Sequence, residues 1–326
     1  MNINNSLLYV IVFLFTFTAT VLVARLVIPF LKRCAEQPIY EEGPKWHMSK
    51  SGTPTMGGIA FLSSVMIALL LCSLYMYLAK DYGNAVSMLI CLTYALLNAS
   101  VGIIDDITKL KHRKNAGLTP RAKLILQFIL SSLFLIARKL LLGEGTEIAF
   151  RFGSIDLGII YYFLSLIILV GITNCANLTD GIDGLATSVA FAIGISFFYI
   201  SYGRIESVSF MSASLIGATV AFLIFNINPA KVFMGDTGSL FLGSLVVSFA
   251  FELGNPLIAL SSGGIYVIEG VSVILQVLYF KLCKKRLFKM APIHHHLEQC
   301  KWSENKICIA AIVLTLLFSL SIPLCL

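Results

Sequence analysis

Charge is scarce in this sequence. Asp, Glu, Lys and Arg together make up 13% of 326 residues, about half their share in a soluble domain. That excludes an ordinary water-soluble enzyme, because no polar stretch is long enough to build a separate soluble unit. The eight Cys are scattered and form no C-x-x-C pair. They read as small buried hydrophobes, not as a metal knuckle or a disulfide framework. No basic leader with a small-residue cleavage site precedes the first apolar run, so that run is expected to be a span and not a removed signal. The Gly143-Glu-Gly145 pair lacks the third glycine and the strand-to-helix setting of a dinucleotide site. No nucleic-acid partner is expected.

What the sequence has in quantity is apolar surface, 58% of all residues. It falls into ten runs, 6–31, 56–79, 85–104, 121–142, 157–174, 185–202, 207–227, 237–254, 263–283 and 305–325. Runs near twenty residues predict membrane-spanning helices. Lipid tolerates no unpaired backbone, and a closed barrel would need alternating strands, which these runs are not. The fold class is therefore an all-α polytopic membrane protein of ten transmembrane helices, with residues 1–326 forming a single integral-membrane domain. Thr146–Asp156 alternates loosely around a Gly-Ser turn and predicts a short extracytoplasmic β-hairpin.

Lys and Arg set the orientation. Eighteen lie in loops after odd-numbered runs, among them Lys45, Lys50, Lys109, Arg113, Lys114, Lys123 and Lys281 to Lys289, against five on the other side. Positive charge favours the cytoplasm, so both termini are expected to be extracytoplasmic. Five of the seven Asp, namely Asp105, Asp106, Asp180, Asp183 and Asp236, then fall at the cytoplasmic ends of runs 3, 5 and 7. Three distant loops thus bring carboxylates to one membrane face. Such a cluster needs neutralising, and a divalent cation with nearby Lys would do it.

The loop Asn174-Cys-Ala-Asn177-Leu-Thr-Asp180-Gly-Ile-Asp183-Gly184 is the centre of this pattern. Its carboxamides and carboxylates are hard oxygen donors of the kind magnesium takes. Asp105-Asp106-Ile-Thr-Lys109 places two adjacent carboxylates on different helix faces, suited to two separate jobs. Gly235-Asp236-Thr-Gly-Ser presents an Asp on a sharp turn at the start of a helix, whose positive end favours anions. Phe233, just before it, is placed to stack on a base. Lys50 follows His47 in a Gly/Pro/Thr-rich loop that suits a phosphate. In Pro292-Ile-His294-His295-His296-Leu-Glu298, three consecutive His cannot converge on one metal from a helix, so they read as protonatable phosphate donors. Glu269 and Gln276 lie inside run 9 and are expected to face the protein interior.

Taken in order, these four blocks resemble the polyprenyl-phosphate N-acetylhexosamine-1-phosphate transferases. The Pro-Ile-His-His-His-x-Glu run is similar to that of the bacterial branch acting on muramoyl-pentapeptide. The resemblance covers nearly the whole chain. It implies a bacterial plasma-membrane enzyme with its active site on the cytoplasmic face, often a homodimer, whose ninth helix is bent and projects into the bilayer. The implied reaction moves phospho-MurNAc-pentapeptide from UDP-MurNAc-pentapeptide to undecaprenyl phosphate, giving lipid I and UMP for peptidoglycan synthesis. It also implies Mg2+ and sensitivity to nucleoside antibiotics.

On that resemblance Asp236 is the leading magnesium ligand. Asp105 orients or deprotonates the lipid phosphate, and Asp106 assists metal or lysine placement. Asn177, Asp183 and Phe233 form the uridine pocket, with Asn174 and Asp180 beside it. Lys50, Lys109, Lys123 and His294, His295 and His296 meet phosphates. Direct attack by the lipid phosphate and a covalent phospho-Asp route both remain compatible with the sequence. Two other functions compete. One is a sister enzyme moving GlcNAc-1-phosphate, against which the histidine block argues. The other is a cation-coupled transporter, which would place its acids near the bilayer midplane and not at one rim.

Overall fold

The computed structural model describes residues 3–34, 50, 52–112, 117–151 and 153–322. Lys45, His47, Arg113 and Lys114 lie outside the described residues. Within them the chain forms twelve helices and a hairpin: α1 Ile3–Cys34, α2 Gly58–Leu78, α3 Tyr82–His112, α4 Pro120–Leu142, β1 Glu147–Phe150, β2 Gly153–Asp156, α5 Ile159–Thr179, α6 Leu185–Ser201, α7 Glu206–Asn226, α8 Gly235–Glu252, α9 Ile258–Ser262, α10 Gly264–Cys283, α11 Ile293–Gln299 and α12 Glu304–Ser319. The hairpin is antiparallel, pairing Glu147 with Asp156 and Phe150 with Gly153, inside the segment expected to hold it.

Seven helices, α1 to α5, α7 and α10, are long and apolar enough to cross a membrane. This is a polytopic membrane protein. The other three expected spans correspond to α6, α8 and α12, which have 17, 18 and 16 residues. Helix α8 is less apolar for a physical reason. It runs through the centre of the bundle, with every side chain from Thr237 to Phe251 buried, so it meets protein and not lipid. Its small residues let neighbours close in. A Cβ at Gly238 would lie 3.0 Å from the Gly58 Cα, and one at Gly243 would lie 2.8 Å from the Ala176 Cβ. Gly102 does the same from α3, where a Cβ would reach 2.3 Å from the Asp236 carbonyl oxygen. These contacts set where α8 begins.

The outer helices show the reverse pattern. Helix α1 exposes Leu7, Val10, Leu14, Leu22 and Leu26. The expected run 263–283 matches α10 to within one residue, with Gly263 separating it from the short α9. Beyond Ser272, α10 leaves the bundle with Ile274, Leu275, Val277, Leu278 and Phe280 exposed.

Before that point α10 lies tightly on α5. A Cβ at Gly270 would lie 2.2 Å from Cys175 Sγ and 3.5 Å from Cys175 Cβ. Gly270→Ala is therefore expected to overpack this crossing, at a cost of about 1–3 kcal/mol. Removing the sulfur should restore it, so the Cys175→Ala/Gly270→Ala double variant should melt close to the wild type. Thermal unfolding of the three variants in detergent checks this, and strictly additive effects would place the clash elsewhere.

At one end of the bundle a buried ionic group ties four helices. Arg138 of α4 bonds Glu252 of α8 at 2.6 Å, the Phe251 carbonyl at 3.0 Å and Glu144. Glu252 also accepts from Ser207 of α7 at 2.9 Å and from Ser87 of α3. The rise along α3 from Ser87 to Asp105 is about 27 Å, so the Asp-rich loops lie at the opposite end.

Candidate active site

The site is built around the start of α8. The chain before it pairs with the chain before α2: Phe233 N–H donates to the Pro54 carbonyl at 2.8 Å, Gly57 N–H to Phe233 at 2.8 Å and Gly58 N–H to Met234 at 3.0 Å. Gly235 then turns with φ +71°. A side chain there would also collide with Asp106 Oδ2, 2.6 Å from an added Cβ. Asp106, reaching in from α3, caps the new helix. It accepts from Asp236 N–H at 3.1 Å, Thr237 N–H at 2.9 Å and the Thr237 hydroxyl at 2.7 Å. A carboxylate is the natural acceptor for these unpaired donors.

Thus fixed, Asp236 accepts from Asn177 Nδ2 at 2.9 Å on one oxygen. The other accepts from Lys109 at 3.0 Å and Lys123 at 2.6 Å. Asn177 also donates to Ser239 at 2.7 Å. Asp105 Oδ1 accepts from Leu118 N–H at 2.7 Å, and only a glycine fits at position 117 beside it. Its Oδ2 faces Lys109 at 2.7 Å and Lys123 at 3.5 Å. That oxygen is buried, and these two ammonium groups are the cations facing it among the described residues.

Asp105 and Asp106 are about 100° apart on their helix, and both nevertheless reach the start of α8. Ligand oxygens of Asp105, Asp106 and Asp236 lie within 4.8 Å of one another. This buried triad could bind a metal ion. The donors are hard oxygens, three carboxylates face two ammonium groups, and Asp105 Oδ2 has acceptor capacity to spare.

Asp180 caps the end of α5 and stands between this triad and a second cluster. Burial, and then the charges of Asp236, Asp106 and Asp183, push its carboxyl well above the usual range. In the second cluster Asp183 binds Lys50 at 2.7 Å, Asn228 Nδ2 at 3.0 Å and Ala230 N–H at 3.0 Å. Glu304, at the start of α12, holds Lys50 at 2.7 Å and Asp183 N–H at 2.7 Å. A cleft of about 340 Å³ opens beside Asn228, Glu304 and Trp302. Phe233 is half-buried on the backbone ladder.

The histidines take separate partners, although the His294 and His295 rings pack edge to face with centroids 4.2 Å apart. His294 is fully buried, with Nδ1 3.0 Å from Glu269 Oε2. His295 Nδ1 lies 2.6 Å from Glu298 Oε2. His296 Nδ1 accepts from Lys289 N–H at 3.2 Å, and its ring packs on Phe288. The His294 ring abuts the central loop at Gly181. Asn174 also turns aside, donating to Gln127 Oε1 at 2.6 Å and to the Val170 carbonyl.

Glu304, Asn228 and Gln127 were not singled out from sequence. Glu304 had a legible signal. It is an acid at the same rim as the five Asp, directly after the Ser303 cap of the last helix.

The glycosyl transferase family 4 profile matches residues 88–254, from the second turn of α3 to just past the end of α8. A phospho-N-acetylmuramoyl-pentapeptide-transferase signature matches residues 50–62, from Lys50 into α2. The chain is 42% identical over 307 residues to the phospho-N-acetylmuramoyl-pentapeptide-transferase of Clostridium perfringens strain SM101, covering 93% of this chain and 92% of that one. This chain belongs to the phospho-N-acetylmuramoyl-pentapeptide-transferase family. Relatives of that name from Caldicellulosiruptor bescii and Halalkalibacterium halodurans are each 40% identical, over 95% and 94% of this chain and 95% and 93% of theirs. In this phospho-N-acetylmuramoyl-pentapeptide-transferase, Asp180 lies close enough to Asp236 and Asp106 on one side and to Asp183 on the other to feel the charge of both clusters.

Proposed function

We infer that this protein transfers phospho-N-acetylmuramoyl-pentapeptide from its UDP conjugate to undecaprenyl phosphate, releasing UMP and forming lipid I. The observation that carries this is the seating of Asp236 among Lys109, Lys123, Asn177 and Asp105, in a chain that matches the family over nearly its full length. A phosphate oxygen of the lipid attacks the sugar-bearing phosphorus. The bridging P–O bond breaks, and UMP leaves with that bond's electrons. One diphosphate replaces another, so catalysis is positioning and charge neutralisation.

Lys109 and Lys123 are placed to move from Asp236 to phosphate oxygens as substrates arrive. Asp105 orients or deprotonates the lipid phosphate. Asn177, Asp183 and Phe233, with Lys50, form the uridine pocket, and His294 approaches the diphosphate from the side of Gly181. Asp236, with Asp105 and Asp106, would hold Mg2+, which supplies positive charge to the diphosphate. All ten long apolar segments span, counting α6, α8 and α12, with both termini outside and the site at the cytoplasmic rim, where a cytosolic nucleotide and a lipid headgroup meet. The enzyme forms a homodimer, and nucleoside antibiotics that mimic the UDP substrate inhibit it.

Purified protein in detergent with both substrates and Mg2+ tests the reading. UMP release together with a product of lipid I mass is the expected result. Transfer from UDP-GlcNAc alone would reject the muramoyl substrate, and cation flux in proteoliposomes without UMP release would reject the transferase.

A further inference from the structure

The mechanism above leaves one buried acid unused. Glu269 of α10 is 2% exposed and lies at the Gly270–Cys175 crossing, where α10 comes closest to α5. Its Oε2 is 3.0 Å from His294 Nδ1 and 3.4 Å from the His294 backbone nitrogen, so it holds both the ring and the start of α11. The other ring nitrogen, Nε2, is buried and has no hydrogen-bond partner. It is aimed at the turn between Asp180 and Asp183: an added Cβ at Gly181 would lie 2.3 Å from it. Glycine at 181 therefore leaves space that the imidazole fills.

A carboxylate on Nδ1 keeps a proton there and fixes the tautomer, so that Nε2 is the working nitrogen. A buried polar atom without a partner costs stability unless something later satisfies it. Here the missing partner is supplied from the side of the central loop.

We propose that Glu269 is a positioning residue for the transfer reaction: it locks His294 in the orientation that presents Nε2 across Gly181 as the acceptor for a ribose hydroxyl of the nucleotide substrate. The proposal rests on the transferase reading of the site. That reading is tested by UMP release from the wild type, whereas Glu269 is tested only by comparison between variants, so the two failures are distinguishable.

The test is a double-mutant cycle in the detergent assay. Glu269→Gln keeps the shape and an acceptor oxygen but removes the charge. It should lower kcat about tenfold or more, with KM for undecaprenyl phosphate within twofold of wild type and a melting temperature within a few degrees of it. In a His294→Ala background the same substitution should change kcat by less than twofold, because its effect runs through the ring. Equal fractional losses in both backgrounds, or a wild-type kcat for Glu269→Gln, would overturn the proposal. Should Glu269→Gln fail to fold, Glu269→Asp keeps the charge but withdraws it by one methylene. It must then show the same His294-dependent loss, and an additive loss or none would overturn the proposal equally.

Discussion

Asp236→Asn should lower turnover about 10³-fold or more while the protein stays folded, a loss of about 4 kcal/mol in transition-state stabilisation. The folded state tolerates the change because α8 does not depend on this side chain for its start. Asp106 supplies the cap, and Gly58 and Gly102 supply the close packing. What is lost is the one carboxylate that meets both lysines and Asn177. An amide in its place sets a donor against two ammonium groups and removes a hard anionic ligand from the triad. The Mg2+ concentration giving half-maximal rate should rise steeply, and the melting temperature should shift little. Wild-type turnover with unchanged Mg2+ dependence would remove Asp236 from the centre of the site.

Asp106→Asn should be comparably inactive, but by a different route that a second measurement separates. Both Asp106 oxygens accept from α8 donors. An amide keeps one acceptor and turns an NH2 toward the remaining N–H groups. Loss of a buried cap of this kind costs about 1–3 kcal/mol, so the melting temperature should fall along with activity. The start of α8 would be released, and Asp236 would drift from the lysines. A fully active Asp106→Asn protein, or an inactive one as stable as wild type, would show that the cap does not set Asp236. Thermal unfolding of the two variants side by side is therefore more informative than either activity alone.

These two carboxylates also mark how far the sequence reaches. That Asp105, Asp106, Asp180, Asp183 and Asp236 belong together was legible, because lipid forces polar groups to the rims and the basic residues say which rim. The hairpin was legible from its alternation and turn. The division of labour was not. Adjacent acids on a helix predict two directions, yet α8 starts close enough to α3 to receive both, and only the packing of Gly102 against Asp236 fixes that distance. Asn174 belongs to the same motif as Asn177 but is drawn to Gln127, a residue with no motif to announce it. Arg138 counts among the extracytoplasmic rim charges, but it is 3% exposed and bound to Glu252. A charge census cannot tell a solvated cation from a buried one. Helix α11 is too short and polar to stand out as an apolar run, and its start is held by the distant Glu269, so hydropathy gives no sign of it.

The Arg138–Glu252 pair has a consequence for how the far rim works. Helix α8 is held at its start by the Asp106 cap and at its far end by this ion pair, and one residue of slip between the two would swing Asp236 through about 100°. At the opposite tip Arg138 grips α8 through one Glu252 oxygen and the Phe251 carbonyl, directional contacts that resist such a turn. The chemistry at one surface thus shares its angular accuracy with a peg driven in at the other.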